Sequence, residues 1–173
     1  MRFPTLALAV VISAASLFAQ GSAKLKAEYL ANFDDTAKKF VSLAEKVPSD
    51  KYSFKPGEGV RTISEVYVHI ASANMFGSNS FGLTMPAGVN LKGAEKSVTK
   101  KEDVVAMLKQ AMEHSRKGIE AAMDAPEKDT KLFGRAMSNA GAAMTLITHM
   151  HEHLGQSIAY ARGAGVTPPW SEK

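Results

Sequence analysis

From Ala140 to Ala161 the sequence reads AGAAMTLITHMHEHLGQSIAYA, a stretch that contains no proline and consists mainly of helix-forming residues. We predict a helix here, because apolar side chains recur at helical spacing along more than one face. One face carries Ala140, Met144, Ile147, Leu154, Ile158 and Ala161, and another carries Leu146, Met150 and Tyr160. A helix that is apolar on several sides is typical of the inner element of a helical bundle.

Three histidines lie in this stretch, and two of them face the same way. Residues four apart on a helix differ by about 40° in direction, so His149 and His153 point to one side and can share a divalent metal ion. His151 lies about 200° from His149, on nearly the opposite face, and cannot join them on a regular helix. The alternative is that the pair fills the core with satisfied hydrogen bonds, and a third ligand from elsewhere would favour metal binding.

The N-terminal segment Met1–Ala23 has the pattern of a secretory signal. Arg2 supplies the positive charge, Leu6–Phe18 is apolar but for two serines, and small residues follow. We predict cleavage between Ala19 and Lys24 and export to the periplasm or the outside of a bacterial cell. The alternative is an uncleaved membrane anchor.

Composition limits the remaining possibilities. The chain has no cysteine, which excludes disulfides, thiolate metal sites and a lipoprotein anchor. Its formal net charge of +4 comes from interspersed charges, so we expect no nucleic-acid partner. No other segment of the sequence is long and apolar enough to cross a membrane, so we expect no stable membrane insertion after signal removal. We expect one domain over residues 24–173 that acts on a small-molecule substrate, with a homodimer as one option for its assembly.

Helix signals elsewhere predict an all-α, four-helix bundle with one long connection, Gly77–Ser97, between helices 2 and 3. The first helix covers Lys24–Lys46. Capping boxes at Thr62–Glu65 and Thr99–Glu102 open the second and third, and Ser138 or Asn139 can cap the fourth. No strand is predicted, and the residues after Pro126 are interpreted as a short connection.

Two further histidines lie on the other predicted helices. His69 lies next to the core stripe of the second helix, and a bundle could turn it towards the pair His149 and His153. An isolated histidine at such a position is otherwise structural. His114 stands among Glu113, Ser115, Arg116 and Lys117, which indicates a solvated face.

These motifs together resemble the DinB/YfiT-like superfamily. The resemblance rests on a lone histidine in the second helix, His69, and on H-x-x-x-H-x-G-Q in the last helix, His149–Gln156. The segment Lys51–Pro56 is similar to the linker of that family after its first helix. Tyr160–Ser171 looks like the tail of its exported members.

The resemblance implies a four-helix bundle with a three-histidine site for a divalent transition metal, usually zinc or nickel. Its ligands here would be His69, His149 and His153. Members include thiol-dependent transferases and isomerases, so the function expected is a metal-dependent enzyme, hydrolase-like or thiol S-transferase-like. The alternative is a non-catalytic metal-binding or stress protein of the envelope. Glu152 stands where members often have another histidine.

The chemistry of such a site agrees with these expectations. Three imidazoles leave at least one coordination position open, and nitrogen ligands suit zinc, nickel or copper. Glu152 is a candidate to orient a ligand or accept a proton, although a surface carboxylate is the simpler interpretation. Met137, Met144 and Met150 leave copper open, but methionine at helical spacing more often fills a core. Zinc-protease, serine-hydrolase and phosphate-loop motifs are absent from the sequence.

Overall fold

The structure is a computed structural model that describes residues 5–171, with side-chain environments from residue 20 onward. Its helices are α1 (Thr5–Lys46), α2 (Ile63–Ser78), α3 (Ala94–Ser97), α4 (Lys101–Asp124) and α5 (Asn139–Gly163). Strands β1 (Asp129–Leu132) and β2 (Arg135–Ser138) form one antiparallel hairpin, and short 3₁₀ turns cover Ser49–Lys51, Asn79–Phe81 and Pro169–Ser171. No helix in the described part of the chain is long and apolar enough to cross a membrane.

The four long helices form a bundle, as the sequence predicts. Helices α1 and α2 each pack against both α4 and α5. Large side chains from all four helices fill the core between them and are almost completely buried. The largest include Phe40, Tyr67, Leu108 and Met150. Burial of such side chains supplies the main favourable term in folding, about 1.5–3 kcal/mol for each.

The connection after α1 is fixed by its aromatic residues. Tyr52 is buried, and its hydroxyl donates to the carbonyl of Ala44 at 2.8 Å. Phe54 lies against Gly163, at the end of α5. The linker therefore joins the end of α1 to the end of α5, which lies beside it, and delivers the chain to α2.

Local signals place two of the helix starts correctly and one incorrectly. Thr62 and Glu65 form the predicted capping box of α2, and the Ser138 hydroxyl accepts from the Gly141 amide at 3.1 Å to cap α5. The capping box predicted at Thr99 is wrong, because α4 begins two residues later and its cap is Lys100, which makes no side-chain capping bond. A capping box needs the threonine at the cap itself.

The hairpin was not predicted, and it occupies most of the connection before α5. Its turn consists of Phe133 and Gly134, with φ of 49° and 81°. Leu132 is buried in a small second cluster with Ala142 and Leu146. No alternation of apolar and polar residues marks these strands, so their pairing depends on packing against α5.

The predicted signal segment is described only in part. Residues from Thr5 onward are the first turns of α1, and residues 1–4 lie outside the described residues. Cleavage there stays a prediction.

Candidate metal centre

Three histidines from two helices converge on one another. His69 projects from α2, and His149 and His153 project from α5 one turn apart. One ring nitrogen from each can be chosen so that all three lie within 4.8 Å of one another. The Nε2 atoms of His149 and His153 are 3.1 Å apart, and the His69 ring centroid lies 5.4 Å and 4.8 Å from theirs. Ligands that each lie about 2.1 Å from one ion would be about 3–4 Å apart, so this convergence is somewhat looser than a bound ion requires.

Two of the rings are oriented by a hydrogen bond at the other nitrogen. Nδ1 of His69 lies 2.8 Å from Oε1 of Glu95, and Nδ1 of His153 lies 2.7 Å from Oε1 of Gln156. Both acceptors place the proton on Nδ1 and leave a lone pair on Nε2, which in His153 accepts from Nε2 of His149 at 3.1 Å. This is how metal-binding histidines are held in known sites.

The third ring, of His149, is not anchored in this way. Its Nδ1 atom is buried and has no hydrogen-bond partner among the described residues. A buried ring nitrogen without a partner costs free energy. The position of the His149 ring is therefore set by packing within the bundle and by its contact with His153.

The surroundings keep the α5 pair neutral. Burial, together with the neighbouring His153 and His69 rings, lowers the pKa of His149 to about 4. Burial also lowers the pKa of His153, against the opposing effect of its hydrogen bond with Gln156. Both imidazoles are therefore uncharged at neutral pH, which is the form that binds a metal.

Glu95 is the charged partner of the triad. Burial alone would raise the pKa of its carboxyl, but hydrogen bonds from Arg61 and His69 hold that pKa below its usual value. Arg61 Nε donates to Oε2 of Glu95 at 2.8 Å. The carboxylate therefore stays ionised, with one oxygen on His69 and the other on the guanidinium.

A polar cavity of about 620 Å³ adjoins these anchoring residues. Its walls include Arg61, Glu65, Lys96, Gln156 and Tyr160. Gln156 links the cavity to the triad, because it contacts His153 at one end and donates to the Tyr160 hydroxyl at 3.1 Å. The cavity therefore provides a polar space for a ligand next to the triad.

The structure therefore brings together the three histidines that the sequence predicts and leaves His151 apart. The Nε2 atom of His151 lies 3.1 Å from the Thr36 hydroxyl on α1, away from the triad. Glu152 is exposed and influences the pair only at a distance, by raising the pKa of His149 and His153.

The prediction for His114 is wrong. Its side chain is only 8% exposed, and burial lowers its pKa. Next to it on α4, Ser115 is fully buried and bonds to Ser78 of α2, while Pro86 of the long connection lines a cleft with His114. The charged residues around it in sequence point outward, but this turn of α4 is covered by other parts of the chain.

The three methionines considered as copper ligands lie in separate environments. Met150 is in the main core, Met137 packs on the small second cluster, and Met144 is exposed in a groove between α1 and α5. This distribution favours packing roles over a shared copper site.

Sequence reasoning missed Glu95 and Arg61 altogether. Glu95 lies 26 residues after His69, on the short helix α3 inside the long connection. No spacing rule links a loop carboxylate to a helical histidine, so only the path of that connection reveals the contact. Gln156 ends the motif that carries the family resemblance, and it contacts the His153 ring by a hydrogen bond.

Comparison with known proteins agrees with this arrangement. Residues 20–173 match the DinB family. The fold is similar to that of a DinB-like protein from Bacillus cereus, with a TM-score of 0.70 and 21% identity over 82% of this chain and 93% of that one. It is also similar to the DinB-like protein YjoA from Bacillus subtilis, with a TM-score of 0.52 and 23% identity over 81% and 93%. The comparison with curated proteins gave no match. Because the family match covers nearly the whole chain, this protein belongs to the DinB family.

Proposed function

We propose that His69, His149 and His153 hold one divalent transition metal, zinc or nickel, and that the protein is a metal-dependent enzyme. The reaction class proposed is hydrolysis or thiol transfer. The observation that carries the proposal is the convergence of three imidazoles, two of which have the second nitrogen fixed by Glu95 and Gln156.

The donor set fits such an ion. Three imidazole nitrogens suit zinc and nickel and leave at least one coordination position for another ligand. When bound, the ion would supply Lewis acidity and would lower the pKa of a water or thiol on it. Glu95 and Gln156 would orient the rings of His69 and His153, and the polar cavity would admit a substrate beside them.

One observation favours the non-catalytic alternative, an envelope protein that binds or stores a metal. Glu95 is already engaged by Arg61 and His69, and Glu152 is exposed. Neither carboxylate is free at the triad to transfer protons, so a reaction there would depend on the metal and on substrate groups.

Metal analysis of protein purified without an affinity tag tests the site. We expect about one zinc or nickel ion per chain, and loss of that ion in His69→Ala, His149→Ala and His153→Ala alike. His151→Ala is the matched control, since this histidine lies on the same helix but faces α1. Equal metal content in His69→Ala and the wild type, with helicity retained, would overturn the three-histidine site.

An activity assay distinguishes a metal-dependent enzyme from a non-catalytic metal-binding protein. The zinc-loaded protein is assayed for hydrolysis of an activated aryl ester and for thiol transfer to an electrophile. We expect one of these activities, and we expect it to disappear with the metal in the three alanine variants. Full metal binding with neither activity would support the alternative.

We also propose that the protein is exported. The N-terminal pattern of Met1–Ala23 supports this, and so does a family match that begins only at residue 20.

A further inference from the structure

An apolar cleft of about 300 Å³ opens directly beside the triad, and we name it the aryl cleft. Its lining residues are His69, Ser72, Ala73, Phe76, Leu91 and Phe133. Four of these come from one face of α2, since positions three, four and seven after His69 share its side of the helix. The bundle leaves this face of α2 uncovered next to a candidate metal ligand.

Two phenylalanines form the rim of the aryl cleft and are unusually exposed. Phe76 is 54% exposed and Phe133 is 47% exposed. Their rings are nearly parallel, at 10°, with centroids 6.1 Å apart. This is the geometry of a stacked pair, and the exposed surfaces of both rings are available to a third ring.

Phe133 holds its position at a backbone cost. It is a non-glycine residue at φ 49°, in the left-handed region that disfavours most side chains. Glycine, asparagine or aspartate would form this two-residue turn more easily. The turn itself therefore does not explain the phenyl ring, and residues held in costly conformations are concentrated at binding sites.

The hairpin is also tied down so that Phe133 meets Phe76. The Thr130 hydroxyl donates to the Ser80 carbonyl at 2.6 Å, just after α2. Leu132 is buried against Leu146, and Gly77 of α2 leaves room for both of these side chains. The aromatic pair is therefore part of a fixed surface.

We propose that the aryl cleft binds an aromatic group of the substrate, next to the reacting atom held at the triad. This inference deepens the proposed function and depends on it for the identity of the site. The aryl cleft is open to solvent, and its volume of about 300 Å³ leaves room for an aromatic ring against the two phenylalanines. The substrate class is an aryl compound with a metal-binding polar group.

A second protein is a weaker candidate for the occupant. A stable interface buries about 800 Å² on each partner. The other exposed large apolar residues of the described part lie elsewhere: Leu25 and Met144 line a groove between α1 and α5, Val60 lines the polar cavity, and Trp170 is near the C-terminus. Phe76 and Phe133 alone form a patch of ligand size.

Calorimetry with two zinc-binding probes tests the proposal. Zinc-loaded protein is titrated with benzohydroxamate and with acetohydroxamate, which share the chelating group and differ in the phenyl ring. We expect benzohydroxamate to bind at least about tenfold more tightly, since stacking adds to burial of the ring. Phe76→Ala and Phe133→Asn, the latter tolerated at positive φ, should remove most of this preference and leave acetohydroxamate unchanged. Met144→Ala, an exposed apolar residue of α5, is the control. Equal affinity for the two probes would overturn the proposal. So would a preference for benzohydroxamate that persists when Phe76→Ala and Phe133→Asn are combined in one protein.

A metal-free experiment distinguishes failure of this inference from failure of the metal site. Phenol is added to the apo protein, and the ring resonances of Phe76 and Phe133 are followed by NMR. We expect shifts at these rings that saturate and do not depend on protein concentration. Shifts here with no metal bound in any preparation would contradict the proposed function alone. Unshifted rings, or shifts that follow self-association, would contradict the aryl cleft.

Discussion

Replacement of Glu95 should weaken metal binding although this residue would not touch the metal. Its carboxylate accepts from Nδ1 of His69 at 2.8 Å and is held in place by Arg61, also at 2.8 Å. Glu95→Ala removes the acceptor and frees the His69 ring to rotate. Glu95→Gln keeps an acceptor of the same shape but removes the charge. We therefore expect the alanine variant to lose more affinity than the glutamine variant.

The size of the effect follows from the hydrogen bond that is lost. A hydrogen bond to a charged group contributes about 1.5–3 kcal/mol, and both side chains are partly shielded from water. Since about 1.4 kcal/mol corresponds to a tenfold change in affinity, Glu95→Ala should weaken zinc binding by about 10-fold to 100-fold. The same range is observed for partners of metal-binding histidines in general. Glu95→Gln should lose about half of that free energy, because it keeps the geometry.

The assay is competition for zinc against a chromophoric chelator of known affinity, at fixed pH, with helicity measured by circular dichroism. Glu113→Ala is the control, because Glu113 is a solvent-exposed carboxylate on α4 that pairs with Lys117. If Glu95→Ala binds zinc like the wild type while His69→Ala does not, the anchoring role of Glu95 is refuted. If Glu113→Ala loses as much affinity, the effect is one of overall charge.

Three other predictions concern stability and processing. Thr62→Ala should lower the free energy of unfolding by about 1 kcal/mol, because it removes the cap of α2; urea denaturation measures this, and an unchanged midpoint would contradict it. Burial lowers the pKa of His114 below its unfolded value near 6.5, so the unfolded state takes up a proton first and stability falls as pH drops below about 6.5. When the pH is lowered from 7.5 to below about 6.5, the free energy of unfolding of His114→Leu should therefore fall less than that of the wild type or of His151→Ala. Equal decreases in all three proteins would refute this. Mass spectrometry of the mature protein should find an N-terminus between Ala19 and Lys24, and retention of the first residues would count against export.

The sequence by itself determined the features that depend on helix geometry. The spacing of His149 and His153 places both on one face of α5 and turns His151 away, and the structure has this arrangement. The capping box at Thr62 fixes the start of α2. Each of these results follows from a rule that acts within one or two turns of helix.

The approach of His69 to the pair was reached by a different route. Its place beside the core stripe of α2 left both roles open, and the family resemblance pointed to the ligand role. The three rings do converge, with one nitrogen of each within 4.8 Å of the others. This separation is somewhat larger than the 3–4 Å expected for ligands about 2.1 Å from a common ion. Whether they bind a metal stays a prediction.

Only the tertiary structure decided the surroundings of the triad. Glu95 reaches His69 from a short helix inside a long connection, and Phe133 reaches Phe76 from a hairpin that no alternation predicts. His114 is buried because α2 and the long connection pack over its turn of α4. Its charged sequence neighbours had indicated that this turn faces water. These contacts join residues far apart in sequence, and their geometry is set by how loops lie over helix faces. Periodicity describes which side of a helix a residue occupies, but it carries no information about what the rest of the chain places against that side.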